Sequence, residues 1–482
     1  MSATEELIPE GVPVFAVVGR INMGKSAVLA TLLEVDDDQV IRVDPTPGAT
    51  THCQSLPVRF GGRELTRFID TPGFSRPLEA MRAIQEMHGE GTPDLETVTK
   101  FVAAHLSGGD FEDEARLLEP IVGGAGILYV IDPSKPLRDA FVAEMEILRW
   151  TGRPRMALLN QKGEETQEKE WRERLGSYFN LVRTFNAHRA RFEERKRLMA
   201  SLLEIDERHR GALEEAIRLI DTEWEERREE AADVVLGLLE EALTLRVEAR
   251  LEDQDERMEH RRERKAKELA LQYVEKVRRM EKKAYERLLK IYRHHLVTVE
   301  AGEAYEGIDL EAAETWKKWG LSRGQLTVAG LIAGAAAGAV VDVSTGGLTH
   351  GGGAIVGGLL GAGGAFFKGA DLPELGFLGV LRVSSGSGKK LVMGPPKSEN
   401  FPWILLDSAL HHHAAMVRRA HGRRDTGVLE EERGESLVRD LPGSDRRVLA
   451  KWFGTCAKGA PDRGLTPEVF QVLVGCLRRS EE

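Results

Sequence analysis

At 482 residues the chain is too long for a single hydrophobic core and predicts two to four domains. Its 41% hydrophobic and 30% charged residues exclude a disordered chain, and a formal net charge of −11 excludes a broad basic face for coating nucleic acid. Three cysteines (Cys53, Cys456, Cys476) lack metal-ligand or disulfide-framework spacing, and the opening Met-Ser-Ala-Thr-Glu-Glu has no apolar run, so a reducing, cytoplasmic setting is expected.

Residues 12–18 form a short apolar run that ends at Gly19 and read as a buried strand. Gly19-Arg-Ile-Asn-Met-Gly-Lys-Ser26 follows, with a helix expected over 27–33. Glycines there let backbone N–H groups turn toward phosphate oxygens, and the helix start adds its positive end. Gly19, Asn22, Met23, Gly24, Lys25, Ser26 and Ala27 are the expected nucleotide-binding stretch. Lys25 can reach the β- and γ-phosphates and Ser26 can hold Mg²⁺.

Pro47-Gly-Ala-Thr-Thr51 supplies a hydroxyl that can close over the metal, Thr50 being favoured over Thr51. Asp70-Thr-Pro-Gly73 ends the next strand; Asp70 can contact Mg²⁺ through water, and the Gly73 N–H can sense the γ-phosphate. Lys25, Thr50 and Gly73 are the expected catalytic set. Further apolar runs at 126–131 and 156–159, with a helical pattern at 137–150, predict a mostly parallel α/β sheet. Asn160-Gln-Lys-Gly163 follows the last run, where Asn160 and Lys162 are placed to meet the base. Asp132, after the 126–131 strand, reads as structural. The long interval between Asp70 and Asn160 predicts an insertion near 75–120, either a partner-sensing element or a plain helical elaboration.

The order of these motifs resembles the translation-factor class of GTPases and, within it, the Era/TrmE/EngA group, over roughly residues 12–190. The resemblance implies an α/β P-loop domain that binds GTP and GDP and drives water onto the γ-phosphate with Mg²⁺. It also implies that Asn22 can ligate an activating K⁺. Phe74 stands where Ras-like enzymes place a water-orienting glutamine, as in hydrophobic-substituted GTPases. Thr184-Phe-Asn-Ala-His188 lies where the group has its base-stacking loop, which carries over Asn186 and Ala187. Gly163 departs from the group's carboxylate, so guanine selectivity rests on Glu164, Glu165 or Asn160 alone.

Residues 189–300 are rich in Glu, Arg, Lys and Leu without proline. Apolar residues at helical spacing (Leu213, Ala216, Ile217, Ile220 and Trp224, then Tyr273, Val277, Met280, Ala284, Leu288 and Ile291) predict long amphipathic helices in a bundle or coiled coil. Gly330, Gly334 and Gly338, then Gly353, Gly357 and Gly361, repeat every fourth residue and predict a glycine-zipper hairpin over 321–370. Two readings fit it: insertion into a membrane from the cytoplasmic side, or a buried soluble hairpin. A hairpin joining 377–383 to 389–394, and helices near 403–421, 443–457 and 466–478, complete a small α+β part over 371–482. Cys456 and Cys476 are expected to pack in the terminal helices. His411-His412-His413 reads as an ordinary helix surface, since consecutive helix positions cannot converge on one ion.

This layout resembles bacterial proteins with an Era-type head and a helical domain of unknown function. The shared elements are Phe185-Asn-Ala-His188, the zipper, Gly394-Pro-Pro and Asn400-Phe-Pro-Trp-Ile-Leu-Leu-Asp407. The domains expected are 1–188, 189–320, 321–370 and 371–482. Partners expected are guanine nucleotide and a membrane surface, with a homo-oligomer or protein partner also open. The rival functions are a soluble ribosome- or partner-binding switch and a membrane-remodelling or permeabilising protein.

Overall fold

The apolar run of residues 12–18 becomes β1 (Val14–Val18), buried at every position, and fully buried strands suit the middle of a parallel sheet. Helix α1 (Lys25–Leu33) follows directly. The chain then forms β2 (Gln54–Phe60), β3 (Arg63–Asp70), α2 (Pro77–His88), α3 (Leu95–His105), α4 (Glu112–Val122), β4 (Gly126–Ile131), α5 (Asp139–Trp150), β5 (Arg155–Asn160), α6 (Glu168–Gly176), β6 (Leu181–Phe185) and α7 (Phe192–Ile205). The computed structural model describes residues 8–34, 53–60, 63–161, 167–252, 259–299, 380–385, 388–396, 398–423, 426–429 and 435–481. Strand order is β2-β3-β1-β4-β5-β6, with β2 antiparallel to β3 and the remaining neighbours parallel. This is the expected α/β domain. Its core runs through Phe15, Val17, Leu29, Phe68, Leu128, Tyr129 and Leu158.

A helical region follows, opened by α8 (Arg210–Thr244). It continues with β7 (Val247–Leu251), α9 (Glu259–Ile291), β8 (Val297–Thr298), β9 (Val380–Ser385), β10 (Gly388–Met393), α10 (Phe401–Arg418), β11 (Gly427–Val428), α11 (Gly443–Cys456) and α12 (Thr466–Glu481). Most of the predicted stripe is buried: Leu213, Ala216, Ile220, Trp224, Tyr273, Val277, Ala284 and Leu288 are inside, while Ile217, Met280 and Ile291 are half-buried at its margin. The expected hairpin exists as β9 and β10, antiparallel with Leu391 opposite Arg382, and β7 joins it with Ala249 opposite Leu391. Cys456 and Cys476 are buried in α11 and α12. The zipper of 321–370 lies outside the described residues.

Two units divide the chain. The first holds Met1–Glu225 together with the short stretches Arg293–Leu296 and Val417–Thr426; the second holds Glu226–Tyr292, Val297–Met416 and Gly427–Glu482.

The second unit corrects one expectation. His412 and His413 are buried in α10, not exposed, because that helix is apolar on nearly every side and has no solvent face to give them. His413 satisfies both ring nitrogens internally: Nε2 lies 2.7 Å from the Tyr292 hydroxyl and Nδ1 lies 2.8 Å from Ser480 Oγ. The His412 ring stacks on Tyr285 at 3.9 Å. Among the described residues no group of three or more His, Cys, Asp and Glu side chains could hold a metal ion.

Candidate functional site

The sheet delivers the site at the carboxyl ends of its parallel strands, where open α/β sheets bind ligands. Gly19 follows β1, Asp70 ends β3, Asn160 ends β5 and Asn186 follows β6.

The loop before α1 is shaped by its backbone. A Cβ on Gly19 would lie 2.5 Å from the Val130 carbonyl oxygen, so only glycine fits there. Asn22 and Gly24 have φ of 66° and 91°, left-handed values that asparagine and glycine tolerate best. Gly24 caps α1 without a side chain, so it leaves the first-turn N–H groups for an anion. Lys25 Nζ donates to Gly19 O at 2.7 Å. Burial pulls the Lys25 pKa down, while the Asp70 and Glu144 carboxylates oppose it.

Asp70 is 2% exposed, and burial pushes its pKa up to about 6 against the pull of Lys25. Its Oδ1 is buried without a hydrogen-bond partner among the described residues. A buried carboxylate oxygen left unpaired is costly, and a divalent cation would satisfy it. With Ser26 in the first turn of α1, the residues fit Mg²⁺. Thr71 Oγ1 donates to Val17 O at 2.9 Å and fixes the turn out of β3. Gly73 lies against the phosphate loop: a Cβ there would sit 3.4 Å from Gly19 O and 3.5 Å from Arg20 Cα. Phe74 is buried in the core, so its ring has no access to an attacking water.

Asn160 is fully buried. Its Nδ2 donates to Met23 O at 3.2 Å and its Oδ1 accepts the Ala187 N–H at 3.1 Å. Its amide therefore links the phosphate loop to the loop after β6, and both amide atoms already have protein partners. Asn186 Oδ1 accepts the His188 N–H at 3.0 Å, which shapes that second loop, and Ala187 is buried within it. Asp132 is structural as expected, accepting from Ser134 N–H at 3.0 Å and Ser134 Oγ at 2.6 Å. Thr50, Thr51, Lys162 and Gly163 lie outside the described residues.

Three residues escaped the sequence reading. Glu144 on α5 is fully buried, accepts the Tyr129 hydroxyl at 2.7 Å and lies 3.3 Å from Arg20 Nε. Burial raises its pKa to about 7, with Tyr129, Arg20 and Lys25 pulling the other way. The Arg20 guanidinium also stands over the Phe141 ring at 5.3 Å, so α5 backs the phosphate loop through a charge and a ring. Glu114, in the first turn of α4, accepts the backbone N–H groups of Ser75 and Arg76 just after Asp70-Thr-Pro-Gly73. The only available signals were an acid in a largely apolar stretch (Glu144) and an arginine in the phosphate loop.

Residues 172–460, well over half of the chain, match the family described as Domain of unknown function (DUF3482). The chain belongs to this family. Residues 14–161 match the model described as 50S ribosome-binding GTPase. Together with the loop, Asp70 and Asn160, that match makes the N-terminal part of this DUF3482 protein a P-loop GTP-binding domain. No curated protein matches it. The family match begins inside α6, so β6 and the loop bearing Ala187 fall within it. Among the described residues of the DUF3482 chain, no helix is long and apolar enough to cross a membrane.

Proposed function

We propose that the chain is an Era-like GTPase that hydrolyses GTP with Mg²⁺ and K⁺ and uses its nucleotide state to control a membrane-associating C-terminal half. The observation that carries the hydrolytic reading is Asp70: a buried carboxylate with Oδ1 unpaired among the described residues, electrostatically coupled to Lys25 at the end of β3. Mg²⁺, when bound, neutralises charge on the β- and γ-phosphate oxygens. Ser26, Thr50 and Asp70 are the residues that would hold that metal, directly or through water. Lys25 exchanges Gly19 O for phosphate oxygens, and the Gly73 N–H meets the γ-phosphate. Phe74 offers no group to orient water, so positioning and charge neutralisation carry catalysis, with K⁺ at Asn22 adding positive charge. Asn186 and Ala187 line the base side, and Lys162 follows Asn160 there.

The C-terminal half acts at the cytoplasmic side of a membrane through residues 325–367, with a protein partner or a second copy also engaged. The family matched by residues 14–161 is described as ribosome-binding; the net charge of −11 favours a protein or lipid partner over ribosomal RNA.

The test is GTP turnover by the full chain in KCl and in NaCl at matched ionic strength. Faster turnover in KCl, abolished in Lys25→Ala, is expected. Equal rates in the two salts would remove the potassium role, and unchanged turnover in Lys25→Ala would remove the site. Liposome flotation of the full chain and of a 325–367 deletion tests the membrane role, which fails if neither floats.

A further inference from the structure

The first unit contains two stretches drawn from far along the chain, and both meet the nucleotide-binding frame. The first is Arg293–Leu296, which follows α9, and the second is Val417–Thr426, which follows α10.

Gly422 lies against the amino-terminal turn of α1 and against the base-side loop at once. A Cβ on Gly422 would fall 2.6 Å from Ala187 O and 3.0 Å from Ala27 O. Those two carbonyls are already tied to each other, because Thr31 Oγ1 lies 2.9 Å from Ala27 O and 3.3 Å from Ala187 O. A side chain at position 422 would therefore push two backbones that the nucleotide site needs in register.

Arg293 meets the opposite end of α1. Glu34 caps that helix with φ of 49°, and its carboxylate is buried. Arg195 Nη1 binds it at 2.7 Å, while Arg195 Nε donates to Leu32 O at 3.1 Å. Arg293 Nη1 adds a second cation 3.8 Å from Glu34, and its other amino group pairs with Glu223. Arg293 itself holds φ of 58°, a conformation arginine rarely takes. The two stretches touch each other through the rings of His294 and His421, stacked 4.3 Å apart.

We propose that Gly422 and Arg293 are positioning residues of the nucleotide site, holding the two ends of α1 and the Ala187 loop, so that the C-terminal region sets guanine-nucleotide affinity. This rests on the reading of the site as guanine-binding.

The test uses the full chain and fluorescent GDP and ADP. Gly422→Ala is expected to speed GDP release by about ten- to a hundredfold. It should also shrink the preference for GDP over ADP, because the displaced loop is the one on the base side. Arg293→Gln, which adds no bulk, is expected to speed GDP release, and Arg293→Lys to restore part of the loss. Circular dichroism confirms that each variant is folded. Wild-type release rates in folded Gly422→Ala and Arg293→Gln would overturn the proposal, as would an equal loss for GDP and ADP in Gly422→Ala, which marks general loosening. A wild-type chain that binds no GDP would overturn the guanine reading itself.

Discussion

Glu114 accepts the backbone N–H of Ser75 at 2.9 Å, which ties helix α4 to the segment that follows Asp70-Thr-Pro-Gly73. The same carboxylate accepts the Arg76 N–H, Ser75 Oγ donates to Asp113 at 2.8 Å, and the Arg76 guanidinium stands over Phe111 at 5.3 Å. Residues 75–120, open in sequence to two readings, thus carry three helices and a clamp on the segment just after Gly73. Glu114→Ala leaves two N–H groups without their acceptor and should cost on the order of 2–3 kcal/mol locally. Native-state hydrogen exchange checks this: the Ser75 and Arg76 amides should lose protection in Glu114→Ala and recover part of it in Glu114→Gln.

Asp70 makes the stability of the nucleotide-free protein depend on pH. Its folded pKa of about 6 lies above the ordinary 3.8, so the folded state holds this proton more tightly than the unfolded chain does. The associated stability is complete below 3.8 and is lost as pH rises through 6, by up to about 3 kcal/mol. Asp70→Asn should therefore raise the unfolding temperature of the nucleotide-free protein at pH 8 and leave it nearly unchanged at pH 4, while Mg²⁺-dependent GTP binding collapses. A variant with no gain at pH 8 would count against an unpaired buried carboxylate.

Asn160 joins the phosphate loop to the loop after β6. Asn160→Ala removes both links, the one it donates to Met23 O and the one it accepts from the Ala187 N–H. Affinity for GTP and for GDP should fall alike, by about ten- to a hundredfold, from two lost buried hydrogen bonds. Isothermal titration with each nucleotide measures it, and a loss confined to one nucleotide would contradict the linking role.

His413 makes an acid-dependent contribution to the stability of the second unit. Burial, reinforced by the Arg228 charge, holds its pKa down to about 3, below the ordinary 6.5. The unfolded chain gains this proton first, so stability should fall as pH drops from 6.5 toward 3. His413→Leu should cost about 1–3 kcal/mol at pH 8, where Tyr292 and Ser480 lose a partner, and should flatten the acid loss. Urea unfolding across that pH range, followed through the buried Trp452, reads both effects.

The features legible in sequence were the local ones. Gly19, Gly24, Lys25 and Asp70 announce themselves because their chemistry depends on spacing within a strand–loop–helix unit, and the strands ending at Ile131 and Asn160 show as apolar runs. The helical stripe from Leu213 to Leu288 was legible for the same reason, since its periodicity is the buried face. What stayed hidden depends on partners distant in the chain. Nothing near Gly422 signals Ala27 or Ala187, and Glu114 looked like one of three acids at a helix start. The histidines were misread because ruling out a shared ion left an ordinary surface as the remaining reading, while burial is decided by Tyr285, Tyr292 and Ser480. Asn160 was placed correctly at the strand end, but its two partners could only be seen in three dimensions.

The composition of the first unit from three stretches bears on how the protein is made. A ribosome adds about 5–20 residues per second, so Gly422 emerges some tens of seconds after the last strand of the sheet at Phe185. During that interval the nascent sheet and phosphate loop exist without the neighbour that packs on Ala27 and Ala187. On the role proposed for Gly422, tight nucleotide capture becomes a late event in biosynthesis, and a chain truncated by premature termination before residue 417 would lack one stretch of the first unit although every GTPase motif had already been translated.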